Sequence, residues 1–159
     1  ETLAVIGDSE AGVALNYTLE ELRTILSSKL GPAAESQGVR LAMGEFPAVE
    51  LDSIRGNLLV LALVNLAQNA VEASATGQEV SIGCERAEGT LAFHVRDQAG
   101  GLPAQMRDDP FRPVRSSKPG GSGIGLALSH QLAQQMEGRL ELESTAASGT
   151  VFRLSIPAS

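Results

Sequence analysis

The sequence contains little of what stabilises small secreted or metal-clustered domains. Its single cysteine, Cys84, excludes an internal disulfide and a zinc site built from cysteines. Tryptophan is absent, and aromatic residues make up only 3% of the chain against 43% for hydrophobic residues as a whole. The 159 residues suit one domain, and its core is therefore predicted to be aliphatic.

Basic residues are also scarce. The chain has 12 Lys and Arg against 19 Asp and Glu, and its net charge of −7 argues against binding nucleic acid or an anionic membrane. No unbroken apolar run approaches the ~20 residues that cross a bilayer, because the longest, 58–66, is interrupted at Asn65. No signal-peptide pattern is present, and because the chain begins at Glu1 we expect a fragment of a longer protein. The single cysteine fits a reducing cytoplasm, where we expect this domain to lie.

Apolar periodicity and turn residues predict three helices and five strands. Thr18 and Glu21 form a capping box at the start of the first helix, which should end at Gly38, with Gly31-Pro32 as a candidate interruption. The second helix runs from a cap at Asp52 or Ser53 to about residue 75, and the third from about 123 to 137, before a stop at Gly138. The strands are predicted at 39–43, 79–86, 90–97, 139–144 and 150–156, with 13–15 as a further candidate.

The order of these elements predicts the fold class. Consecutive strand pairs imply hairpins, such as the one with a tight turn at Glu88-Gly89, so the sheet should be mixed and mostly antiparallel. Three amphipathic helices would cover one of its faces. We therefore predict an α+β two-layer sandwich over residues 18–159, with residues 1–17 as an entry segment.

Polar residues interrupt the otherwise apolar second helix. Asn65, Asn69 and Glu72 recur at spacings of four and three, which places them in one stripe of a helix. Buried amides are costly unless they are paired, and amide oxygens suit Mg²⁺ that shares its remaining ligands with water and phosphates. The alternative is an amide pair satisfied by neighbouring backbone.

Two glycine-rich segments follow. Asp97 ends a strand before Gly100-Gly101, where a carboxylate could accept a hydrogen bond from an exocyclic amine and the glycines would let a flat ring approach; a turn-starting Asp is the alternative. Four further glycines open the third helix, where backbone N–H groups form an anion site, unless the segment is only a flexible linker. The segment fits neither a Rossmann fingerprint nor a P-loop. These glycines are Gly120, Gly121, Gly123 and Gly125.

A long loop between these segments is locally basic. It spans residues 98–122, longer than ordinary connections, and such loops are usually functional or disordered. Its charges could offset the repulsion between this acidic chain and a phosphate ligand, or could simply pair with Asp108 and Asp109. The basic residues are Arg107, Arg112, Arg115 and Lys118.

Taken in order, these motifs resemble those of the Bergerat-fold (GHKL) ATPases, which include histidine kinases, DNA gyrase B subunits, mismatch-repair ATPases and heat-shock chaperone ATPases. Residues 65–73, NLAQNAVEA, are similar to the N box, and 97–101, DQAGG, to the first glycine box. Residues 111–114, FRPV, are similar to the F box, and 121–126, GSGIGL, to the second glycine box. The ending GTVFRLSIP resembles the last strand of sensor histidine kinases.

The resemblance implies a site for ATP and Mg²⁺. It gives catalytic roles to Asn65 and Lys118, with Asn69 as the Mg²⁺ ligand and Asn65 assisting the ion or a phosphate-bound water. Asp97 would bind the adenine amino group, Gly101 would border the adenine, and about 102–120 would form the ATP lid. The phosphates would be held by Lys118 and by Gly121, Ser122, Gly123, Ile124, Gly125 and Leu126.

The resemblance also implies partners. Hydrolytic members carry a glutamate where Asn65 stands, and an amide cannot act as their base, so transfer to another acceptor is favoured. The acceptor would be a histidine on an upstream dimerisation domain. A response regulator would be an indirect partner. His94 and His130 are interpreted as structural. The resemblance implies a monomeric fragment without membrane contact, and a homodimeric parent that is a candidate for inner-membrane anchoring.

Two positions depart from the family pattern. Ala99 replaces the first glycine of D-x-G-x-G, where a methyl could crowd the adenine or forbid a positive φ, and Val114 replaces the F-box aromatic. Both favour an alternative, a degenerate nucleotide sensor without turnover. A hydrolytic ATPase of the same fold is the other alternative.

The assignment of Asn69 is directly testable. Replacing it by alanine removes the amide oxygen assigned to Mg²⁺, so Asn69→Ala should weaken Mg-ATP binding in a titration monitored by calorimetry. Unchanged affinity would show that the assignment is wrong.

Overall fold

The α-helices begin and end close to the predicted residues. The computed structural model describes residues 16–111 and 125–159, so the candidate strand at 13–15 lies outside the described residues. The helices are α1 Leu19–Gln37, α2 Ser53–Ala73, α3 Ala104–Arg107 and α4 Gly125–Gln135. The strands are β1 Asn16–Thr18, β2 Arg40–Met43, β3 Glu50–Asp52, β4 Glu79–Ala87, β5 Thr90–Asp97, β6 Arg139–Ala146 and β7 Gly149–Pro157.

The main sheet has five strands in the order β2-β4-β5-β7-β6. β2 runs parallel to β4, and the other pairings are antiparallel, which confirms the predicted mixed sheet. Alternate residues of β7 are buried from Thr150 to Ile156, and Phe152, Leu154 and Ile156 pack with leucines of α1 and α2 in one mainly aliphatic core. The α+β sandwich is therefore confirmed. Three elements were not predicted, β1, β3 and α3, because three or four residues carry no measurable periodicity.

The first helix is capped as predicted at both ends. The Thr18 hydroxyl accepts from the N–H of Glu21, the Glu21 carboxylate accepts from the N–H of Thr18, and Gly38 ends the helix with φ 71°. Pro32 does not interrupt it. The proline and Ser28, whose carbonyl loses its helical donor there, are both exposed, so that water can reach the freed group.

The end of α4 lies close to the predicted stop at Gly138. The helix stops before Gly138, as predicted, and the residue in the left-handed conformation is Glu137, with φ 59°. Gly138 donates its N–H to the carbonyl of Ala133 at 2.9 Å, and a Cβ on it would collide with the backbone carbonyl of Ser155. The glycine is therefore required by the close approach of β7.

Among the described residues, α2 is the helix whose length and apolar composition would allow it to span a membrane. Its packing shows a different role, since Leu59, Leu63 and Leu66 are each at most 2% exposed within the domain core. Hydropathy alone does not separate a central core helix from a membrane span. The burial of its leucines among the other elements does.

The capping box generates a prediction about stability. Thr18→Ala removes the side-chain acceptor for the N–H of Glu21 and should lower the free energy of unfolding by about 1 kcal/mol in urea denaturation. Thr24→Ala is the matched control, because the Thr24 hydroxyl bonds only the carbonyl of Glu20 in an exposed turn of the same helix. Equal effects of the two substitutions would contradict the cap's contribution.

Candidate functional site

The polar stripe of α2 is present, and it is incompletely satisfied. Asn65 and Asn69 are half-buried and Glu72 is exposed. Within residues 16–111 and 125–159, the Asn65 Nδ2 is a buried side-chain nitrogen without a hydrogen-bond partner. A buried unpaired amide costs about 1–3 kcal/mol, so a ligand or water that pairs with it would be favoured. The alternative, in which neighbouring backbone groups satisfy the amide, does not hold for the Asn65 Nδ2 among the described residues.

Asp97 lies at the end of β5 and joins two parts of the chain. Its Oδ1 accepts from the N–H of Ala99 at 3.0 Å and from the N–H of Thr150 at 3.2 Å. The first bond is the turn-forming contact considered as the alternative role for this residue. The second reaches the beginning of β7, so the carboxylate has a long-range role that a local turn does not require.

The end of β5 and the end of α2 lie at the same edge of the fold. Gln98, directly after β5, accepts at its side-chain oxygen from the N–H of Glu79 at 2.8 Å, and its carbonyl accepts from the Gln78 side chain at 3.0 Å. These two residues follow α2 after a short loop. The residues that follow α2 are thereby hydrogen-bonded to the residue that follows Asp97.

Two threonines in this region were missed by the sequence analysis. The hydroxyl oxygens of Thr145 and Thr150 lie 2.9 Å apart across the β6–β7 hairpin, and Thr145 Oγ1 accepts from the N–H of Leu102 at 2.9 Å. Thr150 is only 3% exposed. The Gly149-Thr150 pair at the beginning of the last strand was a signal for Thr150, although the sequence analysis interpreted it only as part of a strand. Nothing local marks Thr145.

The first glycine box requires glycine at position 101 but has an ordinary backbone conformation at Ala99. Gly101 has φ 89°, and a Cβ on it would lie 2.7 Å from the carbonyl oxygen of Ala146. Ala99 is buried, but the described non-glycine residues with positive φ are Glu88 and Glu137. The expected conflict between the Ala99 methyl and a positive φ is therefore wrong.

The loop after Gly101 begins in an ordered way. The Arg107 side chain donates to the carbonyl of Leu102 at 3.0 Å across the short helix α3. The Phe111 ring, the first residue of the F-box motif, stacks on His130 of α4 at 4.9 Å between centroids, and it lies 6.0 Å from Phe152. These contacts hold one end of the loop against the core.

The remaining predicted residues are divided between described and undescribed parts. Gly125 opens α4 and Leu126 is half-buried against the core. His94 contacts Glu143 at 3.1 Å, and burial raises the pKa of the Cys84 thiol to about 12, so this thiol is protonated at neutral pH. Several predicted residues lie outside the described residues, namely Arg112, Val114, Arg115, Lys118, Gly120, Gly121, Ser122, Gly123 and Ile124.

The chain is similar to known ATPase and sensor kinase sequences. Residues 55–159 match the family model described as histidine kinase-, DNA gyrase B- and HSP90-like ATPase. The chain is 36% identical to the sensor histidine kinase MtrB of Mycobacterium bovis over 98% of this chain and 29% of MtrB. It is 33% identical to the C4-dicarboxylate transport sensor protein DctB of Rhizobium meliloti over 79% of this chain and 23% of DctB.

A solved structure extends the comparison to the fold. The nucleotide-free catalytic domain of the histidine kinase ThkA superposes with a TM-score of 0.77 at 20% identity, covering 92% of this chain and 97% of that one. At this identity the likeness shows the fold alone. The chain spans only about a quarter of the length of the curated relatives it matches.

Gly100 and Gly101 allow a test of the close approach between the first glycine box and the Ala146 carbonyl. Gly101→Ala places a methyl against the Ala146 carbonyl in a left-handed residue and should destabilise the domain by about 1–3 kcal/mol in thermal or urea unfolding. Gly100→Ala is the control, since a Cβ there meets nothing within 4 Å. A Gly101→Ala variant as stable as Gly100→Ala would contradict the described approach.

Proposed function

The chain belongs to the family of histidine kinase-, DNA gyrase B- and HSP90-like ATPases, and on that premise we propose that it binds Mg-ATP and donates the γ-phosphate to a histidine on a separate dimerisation domain. The relatives that it matches along most of its length are sensor histidine kinases, which supports the transferring branch of the family. The observation that carries the proposal is the Asn65 Nδ2, a buried hydrogen-bond donor that has no partner among the described residues and could donate to a phosphate oxygen or a water.

The α2 stripe fits a magnesium ion shared with a polyphosphate. Asn69 and Asn65 present amide groups at a half-buried surface, and amide oxygens are suitable ligands for Mg²⁺. Bound Mg²⁺ would neutralise charge on the phosphates. Lys118 and the glycine-rich residues that precede α4 are proposed to hold the same phosphates. Because phosphoryl transfer depends mainly on positioning and charge neutralisation, the protein needs no nucleophile of its own.

Asp97 and Gly101 are proposed to recognise the adenine. A carboxylate held by two backbone N–H groups has a restricted orientation, as recognition of an exocyclic amine requires. Gly101 presents a backbone without a side chain beside it, where a flat ring can approach. The ordinary φ of Ala99 removes one reason to regard the box as degenerate.

Asn65 favours transfer over hydrolysis. A general base must accept a proton from water, and a carboxamide has no basic group at neutral pH. The amide can instead orient the phosphate-bound ion or a water. We propose that the acceptor histidine lies on the parent protein's own upstream domain, that a response regulator takes the phosphoryl group next, and that the parent is a homodimer whose kinase domain lies in the cytoplasm.

Transfer can be tested with ATP labelled at the γ-phosphate and the chain joined to its own upstream helical domain. An acid-labile phosphoprotein should form, and Asn65→Ala should slow its formation by about a hundredfold or more. Asn57→Ala is the matched control, because Asn57 is an exposed asparagine of the same helix. Free labelled phosphate without labelled protein would support a hydrolytic ATPase, and ATP binding without either product would support a sensor.

A further inference from the structure

A bulge in β6 decides which side chain faces Thr150. The register of β6 with β7 shifts between Leu142 and Ser144: Leu142 lies opposite Phe152, whereas Ser144 lies opposite Val151 and Thr145 opposite Thr150. With regular pairing, Ser144 would stand opposite Thr150. The extra residue therefore replaces a serine by a threonine on the core-facing side, and bulges beside functional sites often redirect a side chain in this way.

The bulge is held from the opposite face of the sheet. Glu143, the residue that the register skips, contacts His94 of β5, with 3.1 Å between its Oε1 and the imidazole Nε2. His94 is paired with Arg153 of β7, on the side of the strands away from the buried Phe152 and Leu154. The contact spans β7 and fixes the bulged residue over the sheet.

The redirected hydroxyl completes a chain of hydrogen bonds to Asp97. The N–H of Leu102 donates to Thr145 Oγ1, which lies 2.9 Å from Thr150 Oγ1, and the N–H of Thr150 donates to Asp97 Oδ1. The chain passes through Thr150, which is 3% exposed, and through the half-buried Thr145. The Thr145 hydroxyl thus connects Leu102, the residue after Gly101, to Thr150 of β7, whose N–H donates to Asp97.

We propose that Thr145 is a positioning residue that sets selectivity for purine nucleotides with a 6-amino group. The proposal rests on the proposed function, in which Asp97 and Gly101 contact the adenine. Both groups are linked to the Thr145–Thr150 pair, Asp97 through the Thr150 N–H and Gly101 through its neighbour Leu102. Removing the Thr145 hydroxyl leaves the Leu102 N–H and the Thr150 hydroxyl without this partner. The Asp97 carboxylate is then held less firmly relative to the adenine ring.

The test compares two nucleotides on the same protein. Affinities for Mg-ATP and for the magnesium complex of purine riboside triphosphate, which lacks the 6-amino group, are measured for the wild-type chain, Thr145→Val and Thr145→Ser. Thr145→Val should weaken ATP binding about tenfold and the analogue much less, so that the selectivity ratio falls. Thr145→Ser retains the hydroxyl and should restore the ratio. The ratio does not depend on the fraction of folded protein.

Hydrogen exchange of the Leu102 amide gives a second measurement. In Thr145→Val this amide should exchange faster, and in Thr145→Ser it should remain protected. Thr24→Val is the control, since its hydroxyl bonds only within the first turns of α1. An unchanged selectivity ratio in Thr145→Val, including an equal loss of affinity for both nucleotides, would overturn the proposal. An unprotected Leu102 amide in the wild type would do the same. Both results leave ATP binding by the wild-type chain, and so the proposed function, standing. A wild-type chain that binds no ATP would instead overturn the proposed function, and this proposal with it.

Discussion

The two hydrogen bonds accepted by Asp97 Oδ1 are the contact on which the site's architecture depends. They join the end of β5 to the adjacent turn at Ala99 and to the start of β7, which lies 53 residues further along the chain. β5 and β7 are central strands of the sheet, so a carboxylate at their shared end is held by the most constrained part of the fold. A group that must orient a flat ligand benefits from rigid support, because loosely held contacts lose selectivity.

The second helix combines two requirements that usually conflict. Its buried face carries leucines and alanines into the core, while a half-buried stripe presents asparagines to the site. A helix can satisfy both because its residues point in all directions around one axis, and residues three or four apart share a face. The unpaired Asn65 nitrogen carries a cost in the domain without ligand, which is typical of sites that store part of their binding energy in unsatisfied polar groups.

Most of the fold could be predicted from sequence because its longer elements carry strong local patterns. The capping box at Thr18 and the two-residue turn at Glu88-Gly89 lie where they were expected, and the turn residues have the positive φ that such hairpins require. The short strands β1 and β3 escaped prediction because their pairing brings Asn16 beside Asp52, a partner that no local pattern reveals. The packing reason for glycine at 138 escaped prediction in a similar way, since the neighbour that excludes a side chain belongs to β7.

The sequence by itself determined the layer architecture, the polar stripe of α2 and the order of the motifs, because periodicity and short motifs are properties of neighbouring residues. Only the tertiary structure decided that Asp97 accepts from Thr150, that Gly101 lies against Ala146 and that a bulge places Thr145 beside Leu102. Each of these contacts joins residues more than 40 positions apart. Such contacts follow from strand register and chain packing, and a shift of one residue changes which side chain faces the core.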